Sequence, residues 1–451
     1  MLDIKVVHDV IENKKEIFLE DLFRLLKQPS ISAQNIGISE CVEVLTGLMK
    51  AAGIETKVFE TPGHPIIYGE VISPKNDVTV LIYGHYDVQP ADPIEEWISP
   101  PFEPQIRDGK IFARGAGDNK GQLMAHVSAV KALLEAYGEL PVNVKMVFDG
   151  EEESLSESFA PFVESHKDLL EADVVYTSDG PLHHDGTPMV MLGCRGMLYI
   201  ELEAEGAKRD NHSGNKGGIT PNPAWDLIHL LESMRTDNGN VLIDGFYNDI
   251  REPTEFEIDL LKKLPFESKK AAEVIGLPLL EMDGEEYYRK LSLEPTFNIS
   301  GFTSGYAGEG AKTIIPAKAK AKLDIRLVVD QNPDHIYEKI ENHVMNHSPN
   351  VKIKCLGKVE PSRTPAQLKI VQTIIRAIGK SYEKEPIVMP AIGATLPDYV
   401  FTKLLGLPSV LVPYANADEN NHSPNENMDV DCFINGIKAS CQVLIELGRD
   451  R

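Results

Sequence analysis

Residues 142–154 read VNVKMVFDGEEES and join an apolar run to a cluster of acidic residues. The run at 142–148 has the length and the β-branched content of a buried strand. Four carboxylates follow within five positions, and like charges that a fold holds together repel one another. We therefore expect a strand of a buried sheet that ends at a site with compensating positive charge.

The first part of the chain alternates strand-like and helical segments. Apolar runs at 79–83, 142–148 and 174–177 predict strands, and an alanine-rich helix is predicted over 120–137. The order strand, helix, strand is typical of a mostly parallel sheet covered by helices. The sequence therefore predicts an α/β domain.

The sequence pattern changes at about residue 196. Amphipathic strands and two helices indicate a small α+β domain; they are predicted at 198–205, 223–234, 318–328, 333–346 and 351–355. No regular element is predicted between 240 and 295. Helices at 366–380 and 432–447 then resume the α/β pattern. We predict a catalytic domain in two parts, 1–195 and 359–451, interrupted by an inserted domain at 196–358.

The composition argues against several classes of function. A net charge of −24 disfavours binding to nucleic acid and to anionic membranes. No apolar stretch is long enough to span a bilayer, and the N-terminus lacks the order of a signal peptide. The five cysteines form no Cys-x-x-Cys pair. We therefore predict a cytoplasmic protein with free thiols.

The predicted strands end in chemically active residues beside glycine. The strand at 79–83 leads into GHYD, which contains His85 and Asp87, and the strand at 174–177 leads into SDG, which contains Asp179. The strand quoted first leads into its acidic run. In open α/β sheets ligands bind at the carboxyl ends of the strands, so these side chains are expected to converge.

Two further candidates lie in loops. Asp118 lies in the glycine-rich turn RGAGDNKG at 114–121, and His422 lies in NHSPNE at 421–426. Two imidazoles and several carboxylates are the ligands expected of a hydrolytic Zn²⁺, Mn²⁺ or Co²⁺ site. Because the carboxylates exceed the needs of one ion, we expect two ions about 3.5–4 Å apart that share a bridging carboxylate.

Each of these residues alone also has a simpler interpretation. A run of glutamates is commonly a solvated loop, Asp118 is well placed to cap a helix, and Asp179-Gly180 is compatible with a turn. His85 alone is compatible with a hydrogen-bonded core histidine. Their joint occurrence at the ends of strands in one sheet is what favours a metal site.

At these positions the sequence resembles the M20 metallopeptidase family, which includes carnosinase-like dipeptidases, aminoacylases, glutamate carboxypeptidases and amino-acid deacylases. Five motifs match in family order: GHYDVQP at 84–90, RGAGDNKG at 114–121, DGEEE at 149–153, SDG at 178–180 and NHSPNE at 421–426. The resemblance implies a di-metal α/β catalytic domain interrupted by an inserted α+β lid domain. It also implies a homodimer that forms through the lid.

The resemblance implies a role for each matched residue. Asp118 would bridge two divalent ions, with His85 and Asp179 on one ion and Glu152 and His422 on the other. The ions would be Zn²⁺, with Mn²⁺ or Co²⁺ as alternatives.

Two residues would assist these ions. Asp87 would orient His85 through its other ring nitrogen. Glu151 would be the general base that takes a proton from the attacking water and passes it to the leaving amine. The resemblance also implies a cis peptide bond after Asp118.

Further matches concern the substrate. NHSG at 211–214 resembles the segment whose histidine, here His212, polarises the scissile carbonyl in the neighbouring subunit. KTIIP, which contains Thr313, and DIRL, which contains Arg326, resemble lid elements that hold the substrate's carbonyl and terminal carboxylate. Thr395 lies where the family commonly has a serine in a substrate-binding loop. Without the resemblance, His212 and Arg326 are interpreted as exposed residues.

The resemblance implies hydrolysis of an amide next to a carboxylate. The HSG segment followed by Gly217-Gly218, the KTIIP motif and the long segment at 240–295 resemble the carnosinase-like group. We therefore predict a metallodipeptidase or carboxypeptidase acting on short peptides with a free C-terminal carboxylate. An N-acyl amino-acid deacylase is the alternative. A non-catalytic peptide-binding relative is less favoured, because every expected ligand is present.

Overall fold

The computed structural model describes residues 2–450 and divides into two compact units. The first contains the described residues up to Leu192, Thr364–Pro390 and those from Val400 onward, and the second contains Gly193–Arg363 and Ala391–Tyr399. The second unit begins after Leu192, whereas the sequence predicts this boundary after residue 195. Its main part ends at Arg363, whereas the sequence predicts this boundary after residue 358. The short segment Ala391–Tyr399, predicted within the catalytic domain, belongs to the second unit.

The first unit is built on an eight-stranded, mainly parallel sheet. Its strands, in order across the sheet, are Glu55–Phe59, Ile66–Val71, Asn143–Asp149, Thr79–His85, Val174–Thr177, Ser409–Leu411, Met189–Met191 and Ile387–Met389. The four strands from Asn143–Asp149 to Ser409–Leu411 are parallel neighbours. Together with the helices they confirm the predicted α/β class.

The helices of the first unit cover this sheet with largely apolar surfaces. The alanine-rich helix occupies Lys120–Tyr137, as predicted, and Gly138 ends it in a left-handed conformation. Its residues are buried on all sides from Lys120 to Val130, because it packs between the sheet and the last helix, Val430–Arg449. The other α-helices are Ile4–Asn13, Lys15–Leu26, Ile38–Ala51, Phe159–Ser165, Lys167–Leu170 and Lys369–Tyr382.

The second unit is an antiparallel sheet with helices on one face. Its four strands, in order, are Thr296–Ser304, Lys318–Leu327, Gly196–Glu205 and Lys352–Val359. Burial alternates along Gly196–Glu205, so Leu198, Ile200 and Leu202 face the core. The helices Pro223–Met234 and Pro333–His347 cover this face. The predicted α+β character of this unit is therefore found in the structure.

The segment at 240–295 differs from the prediction that it is irregular. It contains the short helices Glu255–Lys262, Ser268–Ile275 and Gly284–Ser292. Local caps define them: Thr254 and Glu257 form a capping box, and Asp283 caps the third helix. Helices of eight or nine residues are too short to show a clear apolar period, which explains why the sequence pattern did not reveal them.

None of the helices in the part of the chain that the structure describes combines the length and the apolar character that a bilayer crossing requires.

Replacing Ile200 by alanine is expected to lower the free energy of unfolding of the second unit by about 2–5 kcal/mol, because the fully buried side chain would leave a cavity. The matched control is Ile219→Ala, since Ile219 is 78% exposed and its loss is expected to change stability by less than about 0.5 kcal/mol. Urea denaturation monitored by circular dichroism measures both. Equal effects would contradict the core position of Ile200.

Candidate metal centre and active site

The parallel strands bring the predicted chemistry to one edge of the sheet. His85 is the last residue of Thr79–His85 and pairs with Asp149, the last residue of its parallel neighbour. Asp179 follows the next strand, Val174–Thr177, by two residues. The polar residues that follow these strands therefore lie together, as the sequence predicts.

The first candidate metal cluster consists of His85, Asp118 and Asp179, whose ligand atoms lie within 4.8 Å of one another. His85 Nε2 lies 3.2 Å from Asp118 Oδ1 and 3.7 Å from Asp179 Oδ2. This nitrogen is buried and has no hydrogen-bond partner in the described part of the chain. Buried polar atoms are rarely left unsatisfied, so an imidazole nitrogen that faces two carboxylates suits a divalent ion.

The second candidate cluster consists of Asp118, Glu153 and His422. His422 Nε2 lies 3.1 Å from Asp118 Oδ2 and 3.2 Å from Glu153 Oε2. Asp118 therefore directs one oxygen towards each imidazole and belongs to both clusters. The peptide bond between Asp118 and Asn119 is cis, as the family resemblance implies.

The electrostatics of these clusters indicate an excess of negative charge. Burial acts to raise the pKa of Asp118, but the neighbouring imidazoles outweigh this effect and hold its pKa below the ordinary value. Hydrogen bonds to Asp118 and Glu153 raise the pKa of His422 to about 10. Burial raises the pKa of Glu152 to about 8. Divalent ions would supply positive charge where these carboxylates meet.

Asp87 connects His85 to the acidic loop. Its Oδ1 lies 3.4 Å from His85 Nδ1, which also lies 3.2 Å from the Asp87 carbonyl oxygen. The same carboxylate accepts the backbone N–H groups of Glu152, at 3.2 Å, and Glu153, at 3.1 Å. Acceptors on the Nδ1 side favour the tautomer in which Nε2 carries the lone pair that a metal needs.

The three glutamates of the acidic run have different surroundings, and these differ from the sequence-based assignment. Glu151, predicted as the base, accepts the backbone N–H groups of His64, at 3.0 Å, and Ser158, at 3.1 Å. Glu152 was predicted to share a metal with His422, but the carboxylate next to His422 is that of Glu153. The geometry is therefore shifted by one residue from the predicted order.

The shift has a simple physical origin. The strand ends at Asp149, and Glu152–Ser154 forms a 3₁₀ turn, in which successive side chains point about 120° apart. Three adjacent glutamates are chemically identical, so contacts with residues that are distant in sequence decide which of them faces His422. The hydrogen bonds from the backbone N–H groups of Glu152 and Glu153 to Asp87 are such contacts.

Glu426 holds the turn that carries Asp118, a role that the sequence did not reveal. It is fully buried, and its Oε1 accepts the N–H groups of Gly117 and Asp118, each at 3.0 Å. Its Oε2 accepts from Arg114 Nη1, at 2.6 Å, and from the N–H of Gly115, at 3.0 Å. Its place in the matched NHSPNE motif is the signal that could have marked it.

Glu419 is a second carboxylate that the sequence did not single out. It is 2% exposed, and neither of its side-chain oxygens has a hydrogen-bond partner among the described residues. Burial, together with the nearby carboxylates of Asp118 and Glu426, raises its pKa to about 9. It lies in a loop rich in Asn and Asp, where nothing in the pattern marks one acid above another.

The predicted substrate residues of the second unit form two pairs. His212 is exposed, and its Nδ1 accepts the Gly214 N–H at 3.0 Å, so Nε2 is the nitrogen that carries the proton. Its strand pairs with the segment that follows Thr313. In the second pair, Arg326 Nη1 donates to Thr395 Oγ1 at 2.7 Å.

The comparisons with known proteins agree with this geometry. The family model of peptidase family M20/M25/M40 matches residues 81–446. The Cys-Gly metallodipeptidase dug1 of Schizosaccharomyces pombe is 29% identical over an alignment of 470 positions, gaps included. This alignment covers 99% of this chain and 98% of that protein. Human beta-Ala-His dipeptidase is 29% identical over 442 residues, with coverages of 96% and 86%.

A solved structure is similar over almost its whole length. The M20 family metallo-carboxypeptidase Sso-CP2 from Sulfolobus solfataricus is 38% identical, with a TM-score of 0.88, and the match covers 96% of this chain and 99% of that one. This chain therefore belongs to peptidase family M20/M25/M40 and is a metallopeptidase, which confirms the family and the enzyme class that its motifs predict.

Proposed function

We propose that this enzyme hydrolyses dipeptides and short peptides that have a free C-terminal carboxylate, with two divalent ions at its active site. The observation that carries the proposal is Asp118, which directs one carboxylate oxygen to each of two imidazoles. The names of the similar dipeptidases and of the similar carboxypeptidase support a short peptide as substrate.

The proposed ligands are the residues of the two clusters. His85 and Asp179 would hold one ion, Glu153 and His422 the other, and Asp118 would bridge them. Two imidazoles and several carboxylates suit Zn²⁺, with Mn²⁺ or Co²⁺ as alternatives. When bound, the ions would supply Lewis-acid polarisation of the scissile carbonyl and would acidify the attacking water.

Glu152 is our proposed general base. Its carboxylate is surrounded by the charges of both clusters, and the groups that act on it are His85, Asp179, Glu153 and Asp118. From there it would take a proton from the attacking water and pass it to the leaving amine. Glu151, whose oxygens both accept backbone N–H groups, would instead hold the loop at His64.

The second unit would position the substrate. Arg326, held by Thr395, offers a guanidinium fork to the terminal carboxylate, and His212 offers a proton on Nε2 to the scissile carbonyl. Thr313 lies beside the strand of His212 and would contact the substrate with it. We propose that this unit acts as the lid.

A homodimer through the lid remains our proposal. The helix Pro223–Met234 packs Leu227 and Leu230 into the core but leaves Trp225 58% exposed and Ile228 41% exposed. Exposed apolar side chains of this kind support an interface with a second copy. A cytoplasmic location also remains a proposal, supported by five cysteines that are all free.

Metal removal tests the proposed reaction. After chelation and reconstitution with Zn²⁺, Mn²⁺ or Co²⁺ separately, we expect about two ions per chain and cleavage of dipeptides in preference to N-acyl amino acids. Amine release measures turnover, and elemental analysis measures the metal. Activity that survives chelation, or binding of less than about one ion, would contradict the two-metal proposal. Preferential cleavage of N-acyl amino acids would favour the deacylase alternative.

Three glutamine variants distinguish the two assignments of the acidic run. Glu152→Gln is expected to retain two ions and to lower kcat by about 10²–10⁴-fold, because the proton carrier is lost. Glu153→Gln is expected to bind one of the two ions more weakly. Glu151→Gln is expected to keep most of its kcat but to lose about 1–3 kcal/mol of stability, because backbone N–H groups lose a charged acceptor.

Calorimetric metal titration, thermal unfolding and steady-state kinetics measure these three properties separately. If Glu151→Gln abolished turnover with both ions bound and Glu152→Gln lost an ion, the sequence-based order would be correct and the shifted order wrong.

Subunit mixing tests whether His212 acts across a dimer. Inactive His212→Ala chains mixed with inactive Glu152→Gln chains are expected to regain activity, since one site of each hybrid dimer would be complete. Exchange is verified by mass spectrometry of differently tagged chains. Absence of recovery after verified exchange would show that His212 does not serve the neighbouring subunit.

A further inference from the structure

The second unit contains a cavity of about 910 Å³ with an unusual charge. Its basic lining residues are Arg195, Arg235, Arg289, Lys290 and Arg326, and only three carboxylates lie among the other lining residues. The lining therefore has two more basic than acidic side chains, in a protein whose net charge is −24. A local excess of positive charge in an acidic protein indicates a preference for anions.

The ion pairs of the cavity do not include two of its guanidinium groups. Arg289 pairs with Glu294 at 2.9 Å, and Arg326 lies 3.3 Å from Asp324. Arg195 and Arg235 form no ion pair with any residue from 2 to 450. Arg235 is exposed, and an exposed unpaired arginine is common. A buried arginine without an ion pair is less common, and Arg195 is buried.

Arg195 is held in place by backbone carbonyl groups. It is 8% exposed, its Nε donates to Gly393 O at 3.0 Å, and its Nη1 donates to Glu294 O at 3.5 Å. Burial and the nearby charge of Arg326 lower its pKa to about 10, although the carboxylate of Asp324 acts in the opposite direction. A buried charge beside a like charge is costly unless an anion compensates it. The carbonyl groups therefore fix a guanidinium whose charge remains available to a ligand.

We propose that Arg195 is a specificity-determining residue that binds the side-chain carboxylate of a C-terminal Asp or Glu in the substrate. Arg326 would bind the terminal carboxylate of the same residue, and Arg235 would add positive potential at the exposed side of the cavity. The inference rests on the proposed peptidase function and names its substrate class as peptides with an acidic C-terminal residue. Two guanidinium groups match the two carboxylates of such a residue.

Isosteric substrate pairs test this inference on the metal-loaded, full-length enzyme. Ala-Glu is compared with Ala-Gln, and Ala-Asp with Ala-Asn, so that only charge differs within a pair. We expect kcat/KM to be about 10–100-fold higher for the acidic member, because a charge-assisted hydrogen bond replaces a neutral one. The difference is expected mainly in KM, since the contact exists before and during the reaction.

Variants then locate the source of the preference. Arg195→Gln is expected to bring the acidic-to-neutral ratio close to one while kcat/KM for Ala-Gln changes only a few-fold. Arg195→Lys, which keeps the charge but loses the planar fork, is expected to retain part of the ratio. The matched control is Arg24→Gln, an arginine outside the cavity that is 63% exposed, and it is expected to leave the ratio unchanged.

The possible outcomes separate this inference from the proposed function. Equal cleavage of both members of a pair by the unaltered enzyme, or an unchanged ratio in a folded Arg195→Gln variant, would overturn the role of Arg195. If Arg195→Gln does not fold, a ratio that Arg195→Lys leaves unchanged overturns it. If neither member of any pair were cleaved, the proposed peptidase function itself would fail.

Discussion

The carboxylate of Asp118 is the group that joins the two candidate metal clusters. It lies between two imidazoles, with one oxygen 3.2 Å from His85 and the other 3.1 Å from His422. His85 ends a strand in the first part of the chain, whereas His422 comes from a loop that follows more than three hundred residues later. Asp118 thus joins distant parts of the chain. The carboxylate of Glu426 holds Asp118 in this position by accepting the backbone N–H of Asp118.

The acidic residues of this site perform two physically different tasks. Asp87, Glu151 and Glu426 accept backbone N–H groups, which satisfies their charge and fixes the loops around the site. The carboxylate of Glu419 accepts no hydrogen bond from the described residues, and that of Glu153 faces His422. When ionised, such carboxylates repel one another unless positive charge lies between them, and we propose that divalent ions supply this charge. The second unit shows the opposite balance, because its cavity has an excess of guanidinium groups that suits an anionic substrate.

Much of the fold and most residues of the two candidate metal clusters could be predicted from residue patterns. The helix Lys120–Tyr137 and the strand Val174–Thr177 have the predicted bounds, because long or strongly apolar segments show their period clearly. The clusters contain His85, Asp118, Asp179 and His422, all of which the sequence had singled out. The short capped helices within 240–295 were missed, because local hydrogen bonds rather than an apolar period define them.

The sequence by itself determined the type of sheet, the family and the kinds of residue in the candidate metal clusters, because these follow from local periodicity and from motifs of adjacent residues. Only the tertiary structure decided which glutamate of the run Glu151–Glu152–Glu153 faces His422. Three identical neighbours cannot be told apart by their local sequence. Their positions in the fold are set by hydrogen bonds with Asp87 and His64, which are far away in the chain. That Arg195 forms no ion pair within the described residues likewise became visible only in the fold, because ion pairing depends on contacts between distant parts of the chain.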